Sequence, residues 1–268
     1  MAELRESITV LVPARNEAAT LAPIVRDLVA LRDDGVVDQV LVAEHDSTDG
    51  TAEAAARLGA EVVQTGGVFA ELGPVAGKGD NLWRGLTAAR GDIVCFVDAD
   101  STDFGPHFVR RLVDPLLHEP GIRYVKASYR RPWRDGDEVR ATGGGRVTTL
   151  LARPLLRRFY PELAWLQQPL AGEMAAHRSL LESVPFAAGY GLEIGLLIDI
   201  YRRVGAAAIC QADLHSRQNR HRPLDELGPM SDAILECLTA RLAEEGRVRG
   251  VAARRRERPP LARVRAAA

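Results

Sequence analysis

Four short apolar runs, at residues 8–12, 39–43, 61–64 and 93–97, alternate with stretches that repeat their apolar residues at helical spacing. In the first such stretch Leu21, Ile24, Val25, Leu28 and Leu31 fall on one helical face. The next, residues 51–58, is rich in alanine and closed by Gly59; residues 79–90 are closed by Gly91. Residues 106–117 begin with Pro106, a residue suited to a first helical turn. Strand–helix alternation of this kind implies an α/β fold with a mostly parallel, doubly wound sheet. Ligands of such sheets bind beyond the carboxyl ends of the strands. The polar clusters at 13–17, 44–49 and 98–100 all follow strands directly, which points to a nucleotide crevice.

The second half is less regular. Residues 122–129 read as a strand and the polar, glycine-containing stretch 130–142 as a mobile loop. Helices are expected over 147–159, with a kink at Pro154, over 191–204 and over 230–242, and a strand over 206–212. Residues 247–268 carry a run of arginines with two prolines and read as a basic, disordered tail. A chain of 268 residues, 46% hydrophobic, suits one large α/β domain. With 35 basic against 36 acidic residues it has no bulk charge to drive nucleic-acid or membrane binding. No apolar run approaches the ~20 residues of a membrane helix. Cys95, Cys210 and Cys237 form neither a CxxC pair nor a zinc spacing, which suits a reducing cytoplasm.

The densest chemistry lies at Asp98 and Asp100, two carboxylates one residue apart at the end of an apolar strand. Hard divalent cations take oxygen ligands, and one that bridges a carboxylate and a diphosphate stabilises a departing nucleotide. Asp is also an ordinary turn residue; the strand context and the neighbouring clusters favour the metal reading. Pro13, Ala14, Arg15 and Glu17 follow the first strand, where side chains and backbone groups can hold a base and ribose. Glu44 is the base-contact candidate after the second strand, whereas Ser47 and Asp49 suit helix capping. Lys78 lies between two glycines and can approach a phosphate closely, although no Ser or Thr follows it as in a Walker A loop.

Gly145, Arg146 and Thr148 open a helix with amides, a guanidinium fork and a hydroxyl, an anion cradle for a phosphorylated or carboxylated acceptor. Glu193 is a lone carboxylate at the start of an apolar helix, placed to accept a hydrogen bond from an acceptor hydroxyl. The polar run 217–222 follows the last strand and offers Arg217 and His221 for acceptor or metal contacts.

The stretches PARNE, DSTDGT, GKGDNLWRGL, VDAD, KASYRRP, GGGRVTTLLARPLL, QPLAGE, GYGLEIGLLIDIY and RPLDELGPMS together resemble the retaining glucosyl-3-phosphoglycerate synthases over roughly residues 8–240. The resemblance implies a GT-A fold: a Rossmann-like, mostly parallel sheet flanked by helices. Residues 1–103 would form the nucleotide-sugar half, and residues 104–246 a smaller acceptor-binding half. It implies UDP-glucose as donor, 3-phosphoglycerate as acceptor, a divalent Mg²⁺ or Mn²⁺ and a homodimer. Pro13, Ala14, Arg15, Glu17, Lys78 and Asp98 would hold the nucleotide, and Asp100 the metal. Gly145, Arg146, Thr148 and Arg217 would hold the acceptor, and Glu193 would face the attacking hydroxyl.

Two departures stand out. The family's metal-binding histidine aligns with Asn219, while His221 falls where the family has an asparagine, so either residue would complete the metal site. Glu44 and His45 replace the family's Asp and Ser at the base. These changes are compatible with a relative of altered donor or acceptor in a specialised biosynthetic pathway. A nucleotidyltransferase, which would release pyrophosphate, and a non-catalytic sugar-nucleotide-binding protein are the rival readings.

Overall fold

The computed structural model describes residues 5–135, 138–217, 224–250 and 257–267. The elements run in the order β1 (Ile8–Ala14), α1 (Ala18–Asp33), β2 (Gln39–Glu44), α2 (Thr51–Arg57), β3 (Glu61–Gln64), α3 (Lys78–Gly85), β4 (Ile93–Phe96) and α4 (His107–His118). Then follow β5 (Tyr124–Arg130), β6 (Pro132–Asp135), β7 (Glu138–Gly143), α5 (Arg153–Phe159), β8 (Met174–His177), α6 (Arg178–Glu182), β9 (Phe186–Ala187) and α7 (Leu192–Val204). The chain closes with β10 (Ile209–Ser216), α8 (Leu224–Glu244), β11 (Glu257–Arg258) and α9 (Leu261–Ala267).

Seven strands form the central sheet in the order β10-β5-β8-β4-β1-β2-β3. The pairs β1·β2, β1·β4, β2·β3 and β10·β5 are parallel, as the strand–helix alternation predicts. The alternation of side chains along β1 splits the core: Val10 and Val12 pack beneath α1 and α4, whereas Leu11 packs with Trp83 of α3 on the other face. Both faces are covered, so the strands read as continuous apolar runs. Among the described residues no helix is long and apolar enough to cross a membrane.

The structure corrects the sequence reading in four places. Strand β8 lies between β4 and β5 and runs antiparallel to both. Its four residues, MAAH, are too short and too poor in β-branched residues to announce a strand. The stretch 130–142 contains an antiparallel hairpin, β6 against β7, rather than a loop. The helix around Pro154 is a π-helical turn over 148–152 running into α5, with the proline at the α-helical start. Proline has no N–H to give the carbonyl four residues earlier, so the winding changes there.

The fourth correction is the tail. Residues 257–267 dock instead of dangling: β11 pairs with β9, and Leu261 is fully buried.

Candidate active site

The parallel register brings the polar clusters to one edge. Pro13 pairs with Ala43 and Ala14 with Glu44, while the amide of Val97 donates to the carbonyl of Leu11 at 3.3 Å. The segment Asp98–Asp100 therefore leaves β4 beside the end of β1, over the carboxyl ends of the strands.

Lys78 is the first residue of α3, behind Gly77 with its φ of 114°. One side chain of α3, Asn81, ties the helix down through two hydrogen bonds: its amide donates to the Ala43 carbonyl at 2.9 Å, and its oxygen accepts the Thr65 hydroxyl at 2.6 Å. The Gly79 amide donates to Ala188 O at 2.8 Å, which joins the start of α3 to the chain leaving β9. That chain turns into α7, whose first turn carries Glu193, where a carboxylate is favoured by the helix dipole.

Lys78 Nζ lies 2.6 Å from Asp98 Oδ1 and 3.1 Å from Glu193 Oε1, so one ammonium joins two carboxylates, one 20 residues along the chain and the other 115.

 

Burial opposes the charge on Lys78, but Asp98 and Glu193 outweigh it and raise its pKa above the usual lysine value. Burial likewise opposes the charge on Asp98, yet Lys78 and Arg217 hold its carboxyl well below the usual range. Both groups stay ionised at any working pH. Lys78 is therefore a fixed charge and hydrogen-bond donor, not a proton donor.

Arg217 is 1% exposed and its guanidinium meets Asp98 at 3.2 Å, Asp100 at 3.4 Å and the buried Glu173. Glu173 ends the QPLAGE stretch of the resemblance, where the sequence reading gave it no role; β8 brings it in from the adjoining loop. Tyr129 donates to Glu173 Oε2 at 3.2 Å and accepts from Arg131 at 3.0 Å. Arg131 lies against the glycine turn, with its Cδ 3.2 Å from where a Cβ on Gly145 would sit. A polar chain thus runs from the Gly145 turn to the Asp98–Asp100 pair. In the same region Thr148 is buried and Arg146 is partly exposed. Gly172 closes the Lys78–Asp98 pair from the other side: a Cβ there would sit 2.7 Å from both Asp98 Oδ1 and Lys78 Nζ.

On the base side, Glu44 is buried and accepts the Ser47 amide at 2.6 Å, so its carboxylate shapes the turn. Asp49 accepts the Ala18 amide at 3.0 Å and the Thr51 amide at 3.1 Å, the capping role its sequence position suggests. Glu17 precedes α1, its carboxylate accepting the Thr20 hydroxyl at 2.7 Å without capping a backbone amide, and Arg15 is exposed. His45 is buried beside Glu44, and its Nδ1 has no hydrogen-bond partner among the described residues. Asn219 and His221 lie outside the described residues.

Lys126 of β5 is a further buried cation that the sequence reading missed. Its Nζ donates to Ala171 O at 2.6 Å, in the loop that carries Gly172 and Glu173. Burial pushes its pKa down to about 7, with Glu193 and Asp98 pulling it up and Lys78 pushing it down. An unfolded chain titrates lysine near 10.4. Between about pH 7 and about pH 10 the folded chain binds fewer protons than the unfolded one, so stability rises with pH there and is lost as pH falls through about 7. Scanning calorimetry should show the melting temperature climbing from about pH 7 to about pH 9 in the wild type and climbing less in Lys126→Met. Equal slopes in the two proteins would refute the assignment.

Residues 9–181 match glycosyl transferase family 2. The glucosyl-3-phosphoglycerate synthase of Mycobacterium tuberculosis is 49% identical over 243 residues, covering 90% of this chain and 75% of that one.

The chain is a family 2 glycosyltransferase of the glucosyl-3-phosphoglycerate synthase family.

The enzyme is also 39% identical over 246 residues to the synthase of the same name from Petrotoga mobilis, covering 90% of this chain and 75% of that one. Among solved structures, the mannosyl-3-phosphoglycerate synthase from Rubrobacter xylanophilus superposes with a TM-score of 0.89 at 40% identity, covering 97% of this chain and 90% of that one. The glucosyl-3-phosphoglycerate synthase from Mycobacterium tuberculosis in complex with Mn²⁺, UDP-glucose and phosphoglyceric acid superposes with a TM-score of 0.83 at 42% identity, covering 97% and 91%. The GT-A expectation and the glycosyltransferase reading both hold.

Proposed function

We propose that the enzyme transfers glucose from UDP-glucose to 3-phosphoglycerate with the anomeric configuration retained. The observation that carries this reading is Lys78 bridging Asp98 and Glu193, because it couples the nucleotide side of the crevice to the acceptor side. Lys78 holds its charge toward the departing diphosphate. Glu193, in the first turn of α7, accepts the hydrogen bond of the acceptor hydroxyl and orients it on the face the diphosphate leaves. Gly145, Arg146 and Thr148, backed by Arg131, hold the acceptor's anionic groups. Pro13, Ala14, Arg15, Glu17 and Glu44 shape the base and ribose side, with Asp98 beside the sugar.

The donor chemistry fits a divalent Mg²⁺ or Mn²⁺. Asp98 is neutralised by Lys78 and Arg217, whereas the Asp100 side chain is 55% exposed and among the described residues pairs with Arg217 alone, at 3.4 Å. Such cations are held by one or two carboxylates together with substrate phosphate oxygens. No cluster of three potential ligands exists among the described residues, so Asp100 with the diphosphate would hold the ion. When bound it supplies positive charge to the leaving nucleotide.

A thermal-shift titration tests the donor reading. Saturation at 100 times Kd adds about 2.7 kcal/mol, a rise of roughly 5–10 °C for a chain of this size. The shift is expected with UDP-glucose and metal together, and is expected to disappear on chelation. A shift with mannose nucleotides alone would instead favour the donor of the Rubrobacter xylanophilus neighbour, and the buried His45 and Glu44 would then be the changed base site. Asp100→Ala is expected to lower kcat/KM about 10²-fold, roughly 2.7 kcal/mol, and to abolish the metal dependence of the remaining rate. Steady-state kinetics across a Mn²⁺ titration checks it; a variant with wild-type metal response would remove Asp100 from the site.

A further inference from the structure

The docked C-terminal strap, β11 with α9, touches both segments that deliver the Lys78–Glu193 pair. On one side β11 pairs with β9, Glu257 opposite Ala187 and Arg258 opposite Phe186. The next residue after β9, Ala188, accepts the amides of Gly79 and Asp80 at 2.8 and 3.3 Å, and the chain then enters α7 and Glu193. On the other side the strap grips α3. Arg258 donates to both oxygens of Asp80, at 2.7 and 2.6 Å, and the Trp83 indole donates to Pro259 O at 2.8 Å.

Asp80 is completely buried and lies two residues after Lys78. Besides Arg258 it accepts the Ala76 amide at 2.8 Å and Arg84 Nε at 3.1 Å. The two arginines also hold the carbonyls of the preceding loop: Arg258 donates to Leu72 O at 3.1 Å, and Arg84 to Gly73 O and Val68 O, each at 2.6 Å. That loop ends at Gly77, the residue before Lys78. Two forked guanidinium groups on one buried carboxylate leave the loop a single arrangement, which a flexible ammonium would not impose.

We propose that Arg258 is a positioning residue: acting through Asp80, it fixes the loop 72–77 and the first turn of α3, and thereby sets where Lys78 presents its charge. The proposal rests on Lys78 acting on the departing diphosphate. It makes the strap part of the working enzyme and not a trailing end.

A double-mutant cycle in the full chain tests it. Arg258→Gln is expected to lower kcat about tenfold in the wild-type background and less than twofold in a Lys78→Ala background, because its effect passes through the lysine. Amide hydrogen exchange over residues 72–82 is expected to accelerate in Arg258→Gln while β1 and β2 keep their protection. Arg265→Gln, which removes strap contacts to Glu182 and to the Thr87 carbonyl just beyond the C-terminal end of α3 while leaving Asp80 and loop 72–77 untouched, is expected to keep kcat within twofold. Should Arg258→Gln fail to fold, Arg258→Lys takes its place in the same cycle, since it keeps the charge and loses the fork. An equal loss of kcat in both backgrounds, or unaltered exchange over 72–82, overturns the proposal. Wild-type protein inactive on every nucleotide sugar would count against the functional reading instead; the exchange measurement needs no substrate and judges the strap by itself.

Discussion

Lys78→Ala is expected to lower kcat about 10²- to 10³-fold, the range seen when one preorganised donor to a developing anion is removed. The ammonium is held 2.6 Å from Asp98 and 3.1 Å from Glu193, so it is already oriented before substrate arrives. Its charge matters most when the diphosphate departs, so kcat should fall much further than donor affinity. The substitution also leaves Asp98 and Glu193 facing each other without the cation between them, which adds repulsion at the acceptor hydroxyl. Lys78→Arg is not expected to restore the rate. A planar guanidinium cannot replace a compact ammonium in a space so close to Gly172 that even a Cβ on that residue would lie 2.7 Å from Nζ. Single-turnover kinetics with UDP-glucose decides the matter; a kcat within about threefold of wild type would falsify the role given to Lys78.

The second large effect is expected from a methyl group. In Gly172→Ala the new Cβ would lie 2.7 Å from both Asp98 Oδ1 and Lys78 Nζ, well inside contact distance. The far ends of those side chains must move, and both are held in ion pairs. The expected outcome is a folded protein, destabilised by about 1–3 kcal/mol as in overpacked interiors. Its kcat should fall about 10²-fold, because displacing a catalytic group by about 1 Å carries that cost. Calorimetry and kinetics on the same preparation separate the two effects. Full activity together with a lowered melting temperature would show that Gly172 packs the site without setting the lysine.

These two residues differ in how they could be found. Lys78 sits in a glycine-flanked stretch at a predicted helix start, so local sequence pointed to a phosphate contact. Gly172 lies in the QPLAGE stretch of the resemblance, but nothing in that stretch gives the glycine a role of its own. Its importance comes from the approach of two side chains brought in by α3 and β4, and a one-dimensional pattern carries no such distance. The same holds for Glu173. It lies in the loop before β8, and only the antiparallel insertion of that strand between β4 and β5 carries it to Arg217 and Tyr129.

The amino-acid sequence by itself determined the βα alternation, the parallel half of the sheet and the edge at which polar residues gather. Those properties follow from local periodicity and from turn residues, which act over a few positions. Only the tertiary structure decided the place of β8, the pairing of Lys78 with Glu193, the burial of Lys126 and the docking of residues 257–267. Each of these rests on contacts between segments far apart in the chain. An arginine-rich end looks like a solvated tail until a buried carboxylate, here Asp80, is found waiting for one of its guanidinium groups. Burial of charge is favourable only in pairs, and the partner's position is a property of the folded chain.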